Sequence, residues 1–88
     1  MVLVTDDPIE LHGAFLGCAY EDEVYYSSLA NNTTEETLKF LLAARDKRVI
    51  KMKEYSLSDE DIKKAFKYAA DKVAKYLEMV GITPDQLY

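Results

Sequence analysis

Few side chains in this sequence have types suited to chemistry. The single histidine, His12, stands two residues after Glu10 and precedes Glu23 on the same expected helix, and an imidazole beside a carboxylate can bind a metal or relay a proton. Its plainer role is a hydrogen-bonded residue on a helix face near the end of a bundle, and that role is expected. Glu21, Asp22 and Glu23 form a run of acids, but a calcium site needs oxygens spaced around a loop, whereas consecutive helical positions point in different directions. A solvated acidic face is the expectation there. Cys18 is the only cysteine, and with no histidine placed to activate it, it reads as a small packing residue rather than a nucleophile. One cysteine makes no internal disulfide, and one cysteine with one histidine falls short of the roughly four ligands of structural zinc. The residues alone therefore predict no catalytic group, cofactor or metal ligand.

The chain that must position these groups has 88 residues, a single domain near the size at which a lone core becomes marginal. With 49% hydrophobic and 31% charged residues, 3 Gly and 2 Pro, it is too apolar and too poor in breakers to be a disordered or collagen-like segment. The formal net charge is −5, and its placement is uneven. No Lys or Arg precedes Lys39, so the first 30 residues carry only acids (Asp6, Asp7, Glu10, Glu21, Asp22, Glu23), while the remainder holds 11 basic and 10 acidic groups. An acidic first third would repel phosphates, which argues against DNA and RNA as partners. Met1 to Val4 is too short and lacks the basic flank of a signal peptide. No apolar run approaches the roughly 20 residues that span a bilayer. A cytoplasmic chain without a membrane partner is expected.

The expected fold is all-α, an antiparallel up-down-up three-helix bundle with helices at about 8–30, 33–55 and 58–80 and a short tail at 81–88. Asp6-Asp7-Pro8 reads as a helix start, since Asp accepts free amide hydrogens and Pro tolerates the first helical position. His12, Phe15, Leu16, Ala19, Glu23, Tyr26 and Ala30 then recur at three- and four-residue steps, which predicts one buried face. Gly13 and Gly17, four residues apart, allow a close helix contact. Asn31-Asn32 stops the first helix, and Asn32 with Glu35 approximates a capping box for the second. Leu38, Leu41, Leu42, Arg45, Val49 and Met52 give that helix its core face, and the basic Arg45 to Lys53 stretch suits a helix C-terminus. Ser58 with Asp61 caps the third helix, whose predicted stripe is Ile62, Ala65, Phe66, Ala69, Val73, Tyr76, Leu77 and Val80. Gly81 ends it, and Thr83-Pro84 permits one further turn. In this layout the basic end of the second helix lies beside the acidic starts of the other two, Asp6, Asp7 and Glu10 included.

A shift of fifty positions aligns the first helix with the third, matching Glu10 with Glu60, Ala19 with Ala69, Tyr26 with Tyr76 and Thr33 with Thr83. The stretch from Tyr25-Tyr26-Ser27-Ser28-Leu29-Ala30 through Glu35-Glu36, then Phe40-Leu41-Leu42-Ala43 and Arg45-Asp46-Lys47-Arg48, resembles the rubrerythrin branch of the ferritin-like proteins over about residues 12 to 55. That resemblance implies a helical fold built around a di-iron centre, held by a Glu from each of two helices and a Glu-x-x-His from each of the others. It places the first two Glu positions at Ala19 and Ala69, and the Glu-x-x-His at Asp46 to Val49. The histidine is thus Val49, and only Asp46 can still coordinate a metal. The implied protein has kept the helical packing and lost the iron.

Seven Tyr and no Trp complete the picture, because Tyr20, Tyr25, Tyr26, Tyr68 and Tyr76 cannot all fit inside three helices. Tyr is enriched at contact surfaces, so a homodimer completing a larger bundle is expected. Glu23 and Arg45 are expected to pair across the first two helices. The function these features predict is a non-catalytic self-association or partner-binding module. One alternative is an iron-binding ferritin-like oxidoreductase whose site draws Glu23 and Asp46 together across a dimer interface. Another is an acidic decoy that meets a basic partner through Glu21 and Glu23.

Overall fold

A computed structural model describes residues 7–87, and among them every regular element is helical. The elements are α1 (Pro8–Leu29), α2 (Thr34–Glu54), α3 (Asp59–Lys72), α4 (Ala74–Met79) and a 3-10 turn at Pro84–Leu87. Asp6, the segment Val2 to Val4 and the final Tyr88 lie outside the described residues.

The helix ends follow from local chemistry. Asp7 Oδ1 accepts from the Ile9 amide at 2.9 Å, with Pro8 in the first helical position. Asn31 terminates α1 in the left-handed region, at φ 55, where the short Asn side chain is better tolerated than most. The box that opens α2 sits one residue later than the sequence suggests. Thr33 Oγ1 accepts from the Glu36 amide and Glu36 Oε1 accepts from the Thr33 amide, at 3.1 and 3.2 Å, because the Asn32 amide is already spent on Ser27 O in closing α1. Ser58 Oγ accepts from the Asp61 amide at 3.1 Å. Gly81, at φ 75, ends α4.

The expected single helix over 58–80 is interrupted at Val73, the shared cap of α3 and α4. No Pro or Gly marks this break in the sequence. The residues after Gly81 do more than trail off. Ile82 and Leu87 are both buried, and the 3-10 turn packs against α3 and also touches α2. Direct contact between α2 and α3 is correspondingly slight, so Leu87 fills space that the two helices leave between them.

Helix α1 is the centre of the fold, packed most extensively on α3 and next on α2. His12 meets Arg48, so α1 and α2 run antiparallel. Gly13 faces Ala65 and Tyr68 whereas Gly17 faces Ala69 and Val73, so α1 and α3 run parallel. The glycine pair predicted to allow close approach does so here. A Cβ on Gly13 would stand 2.6 Å from Tyr68 Cδ1 and 3.2 Å from the Ala65 carbonyl oxygen, so any side chain there must displace the tyrosine ring and press on the α3 backbone.

The buried face of α1 is rotated from the expected one. His12, Gly13, Leu16, Gly17, Tyr20, Val24 and Ser27 face inward, while Ala19 and Glu23 are half-buried and Tyr26 and Ala30 exposed. Apolar residues occur all round this helix, so spacing alone does not choose among its faces. The faces of α2 and α3 follow expectation more closely. Leu41 and Met52 are buried, with Leu38, Leu42 and Val49 packed at the edge of the core. On α3 and α4 the predicted positions are buried except for exposed Tyr76 and half-buried Val80, and Ala70 joins them. Of the five tyrosines named, only Tyr20 is inside.

Candidate functional site

The single histidine is a structural anchor at the base of the α1–α2 pair. His12 is only 2% exposed, and its Nδ1 accepts from both Nε and Nη2 of Arg48, at 3.2 and 2.9 Å. Two donors on one ring nitrogen require that nitrogen to be unprotonated, which puts the neutral ring's hydrogen on Nε2. Burial, and then the Arg48 charge, lower the His12 pKa below its ordinary value. The Tyr55 ring lies 5.1 Å away, tilted. Arg48 also stands over the Phe15 ring, 4.8 Å from its centroid.

The remaining predicted residues are spread over separate surfaces. Glu21 and Asp22 are exposed, as is Cys18. Ala19 and Glu23 line a groove between α1 and α2. Ala69 is buried in the α1–α3 seam, beside Gly17. Asp46 is exposed on the other side of α2, bordering the cleft with α3, and lies 3.4 Å from its neighbour Arg45. The expected Glu23–Arg45 pair does not form, because Arg45 is held among Phe66, Leu87 and Asp46 while Glu23 lines the α1–α2 groove. Its guanidinium lies 5.1 Å over Phe66 and donates to Leu87 O at 3.3 Å. Among the described residues, no three His, Cys, Asp or Glu side chains are grouped as a metal site.

Two buried polar atoms stand apart from this network. Tyr20 Oη and Arg45 Nε have no hydrogen-bond partner among the described residues. Burial pushes the Tyr20 phenol well above its usual range, so it remains a neutral hydroxyl.

The feature with the most capacity to do something is the α1–α2 groove, about 460 Å³ in volume. Two phenylalanines flank it, Phe15 at 44% and Phe40 at 48% exposure. Ala19, Ala43 and Ala44 form its floor, and Lys47, Arg48 and Lys51 rim one end. Large rings beside a strip of methyl groups give a surface that is costly to leave in water and shallow enough to receive a helix. A larger crevice, of about 650 Å³, opens where the α1–α2 turn meets the end of α4. It is lined mostly by small polar residues whose hydrogen bonds are spent on the fold: Thr34 Oγ1 donates to Val80 O, Thr37 Oγ1 to Thr33 O, and Asn32 Nδ2 to Ser27 Oγ. It ties α2 to α4 and offers little chemistry.

The helical spacing of the groove residues was open to sequence reading only in part. Phe40, Ala43, Ala44, Lys47 and Lys51 make a second stripe on α2 beside the leucines, one that mixes apolar and basic residues and so reads as solvated surface. No family model matches the chain, and neither does any curated protein or solved structure. Among the described residues, no helix is long and apolar enough to cross a membrane.

Proposed function

We propose that the chain is a non-catalytic helical association module, an up-down-up bundle whose working surface is the α1–α2 groove and which self-associates through it to complete a larger bundle. The observation that carries this reading is the pairing of half-exposed Phe15 and Phe40 across an alanine floor. An enzyme would need convergent polar groups, whereas His12 is consumed by Arg48 and the acids point to different surfaces. The resemblance to rubrerythrins fits this reading as a helical frame from which the di-iron ligands are gone. Ala19 then serves as floor of the groove and Ala69 as part of a dry helix seam.

Size-exclusion chromatography with light scattering tests the proposal. The wild-type chain is expected as a dimer at tens of micromolar, and Phe40→Glu as a monomer with unchanged helicity. A strict monomer at high concentration would overturn self-association. Iron or manganese retained stoichiometrically by the purified protein, and lost in Asp46→Ala, would overturn the non-catalytic reading.

A further inference from the structure

One side chain joins the buried imidazole to the open groove. Arg48 donates from Nε and Nη2 to His12 Nδ1, at 3.2 and 2.9 Å, and its guanidinium lies 4.8 Å from the centre of the Phe15 ring. Phe15 and Arg48 both line the α1–α2 groove, whereas His12 is buried. The contact sits near the start of α1 and toward the end of α2, far from the connecting turn at residues 30–33. No chain link holds the two helices together at this end, so the spacing of the groove walls there rests on side-chain contacts.

The groups around the ring are few. From α2 come Arg48 and, at the helix C-cap, the Tyr55 ring. Helix α3 brings Ala65 and Tyr68 against the adjacent Gly13, with the Lys72 ammonium over the Tyr68 ring. On α1 itself Glu10, two residues back, is exposed. Tyrosines titrate near 10, and the charge that acts on His12 is that of Arg48.

Taking the groove as the association surface proposed above, we infer that His12 is a proton-operated latch on it: the neutral ring holds Arg48 against Phe15, and the protonated ring releases it. The neutral ring offers the Nδ1 lone pair to two donors. A proton taken up from solvent bonds to that lone pair, and Nδ1 then turns a donor toward two donors. Both bonds are lost, and two positive charges face each other at the distance the bonds had set. His12 is enclosed, whereas Arg48 is half-buried on a long flexible stem, so the arginine is the partner that moves. Its departure uncovers the Phe15 face and unties α1 from α2 at the open end of the groove. A surface that associates with its walls latched must shed this proton to bind. Association therefore weakens as the pH falls, by up to about tenfold per chain for each pH unit below the folded-state midpoint.

Two measurements on the full chain test the latch and its coupling separately. An NMR titration of a dilute sample from pH 7.5 to 5 follows the His12 ring protons, the Arg48 Nε–H and the Phe15 ring together. One shared midpoint is expected, with helicity by circular dichroism unchanged. In Arg48→Met, which keeps an apolar stem and loses the charge, the His12 midpoint should rise and the Phe15 ring should cease to respond. A ring that stays neutral down to pH 5, or one that titrates while Arg48 and Phe15 stay still, overturns the latch whatever the oligomeric state. Light scattering at high concentration over the same range reads the coupling. The wild-type dimer should dissociate toward the acid end, whereas His12→Asn, an acceptor that does not titrate there, should remain associated. A latch that moves beneath a dimer indifferent to pH overturns the coupling. A chain that is monomeric at every pH overturns the association reading, and the NMR titration still decides the latch.

Discussion

Helix α1 has two neighbours, and it meets them by different physics. Against α3 it presents Gly13 and Gly17 to Ala65, Ala69 and Val73, a seam of small residues that is closed to solvent and carries no charge. Against α2 it uses a buried histidine accepting from an arginine at one end and leaves a groove between half-exposed phenylalanines along the rest. The first contact is shape alone, and any added atom disturbs it. The second is polar, titratable and unfinished on its outer side. One helix therefore serves as the fixed centre of a small core on one face and borders an open, half-apolar groove on another.

The largest effect should come from enlarging the seam. Gly13→Leu drives a side chain into the Tyr68 ring and the Ala65 carbonyl, 2.6 and 3.2 Å from the first added carbon. The partly exposed tyrosine ring can swing aside, whereas the helix backbone of α3 cannot. Overpacking of this kind costs about 1–3 kcal/mol and occasionally more. The same enlargement on the groove side, Ala19→Leu, should change monomer stability by only about 0.5 kcal/mol while altering association. Urea unfolding at low protein concentration would show the difference in stability, and light scattering at high concentration would show whether Ala19→Leu alters the proposed association. Equal destabilisation by the two variants would erase the contrast between seam and groove.

A smaller effect should separate the two contacts by pH. The unfolded chain protonates His12 near its ordinary value of 6.5, whereas the folded chain resists protonation until the pH is lower. Between those values the unfolded state binds more protons, so stability rises with pH. The contribution is complete above 6.5 and is lost as the pH falls toward the lowered value. Thermal unfolding followed from pH 7.5 down to 5 should therefore show a falling Tm. His12→Asn keeps a neutral acceptor near the Nδ1 position and should flatten that slope. Because the chain has one histidine, its ring proton signals in an NMR titration report this group alone. A folded-state midpoint at or above 6.5 would contradict the buried, arginine-bonded ring.

What the sequence made legible follows the range of the forces involved. Caps and stops are local, and Asp7, Asn31, Ser58 and Gly81 perform the roles their side chains favour. Thr33 took the role expected of Asn32 because the stop of α1 and the start of α2 overlap, so one Asn amide cannot serve both. The face of α1 was not legible, since Phe15, Ala19 and Tyr26 compete with Leu16, Tyr20 and Val24 for the same description. Only the positions of α2 and α3 decide between them. The role of the tail was hidden for a related reason. Leu87 is buried by a gap between α2 and α3 that exists only after both have packed on α1. At the groove, Phe15 and Phe40 lie on separate helices, 25 positions apart, and only the antiparallel register brings them to one surface.

The smallest expected effect probes whether the seam is uniformly tight. Gly17 is four residues from Gly13 on the same face, yet a Cβ there would lie 3.7 Å from Val73 Cγ1 and 3.9 Å from the Ala69 carbonyl oxygen. Those are ordinary van der Waals distances, so the new methyl group meets surface without displacing it. Alanine also loses less backbone entropy than glycine in a helix interior, a gain of about 0.5–1 kcal/mol. Gly17→Ala should therefore stabilise the fold by up to about 1 kcal/mol, where Gly13→Ala gains the same entropy but must push back the Ala65 carbonyl. The break between α3 and α4 at Val73 stands directly over Gly17. If Gly17→Ala proves destabilising in urea titration, Val73 is pressed into α1 more firmly than its distance indicates, and the helix break would belong to the seam rather than to the tail.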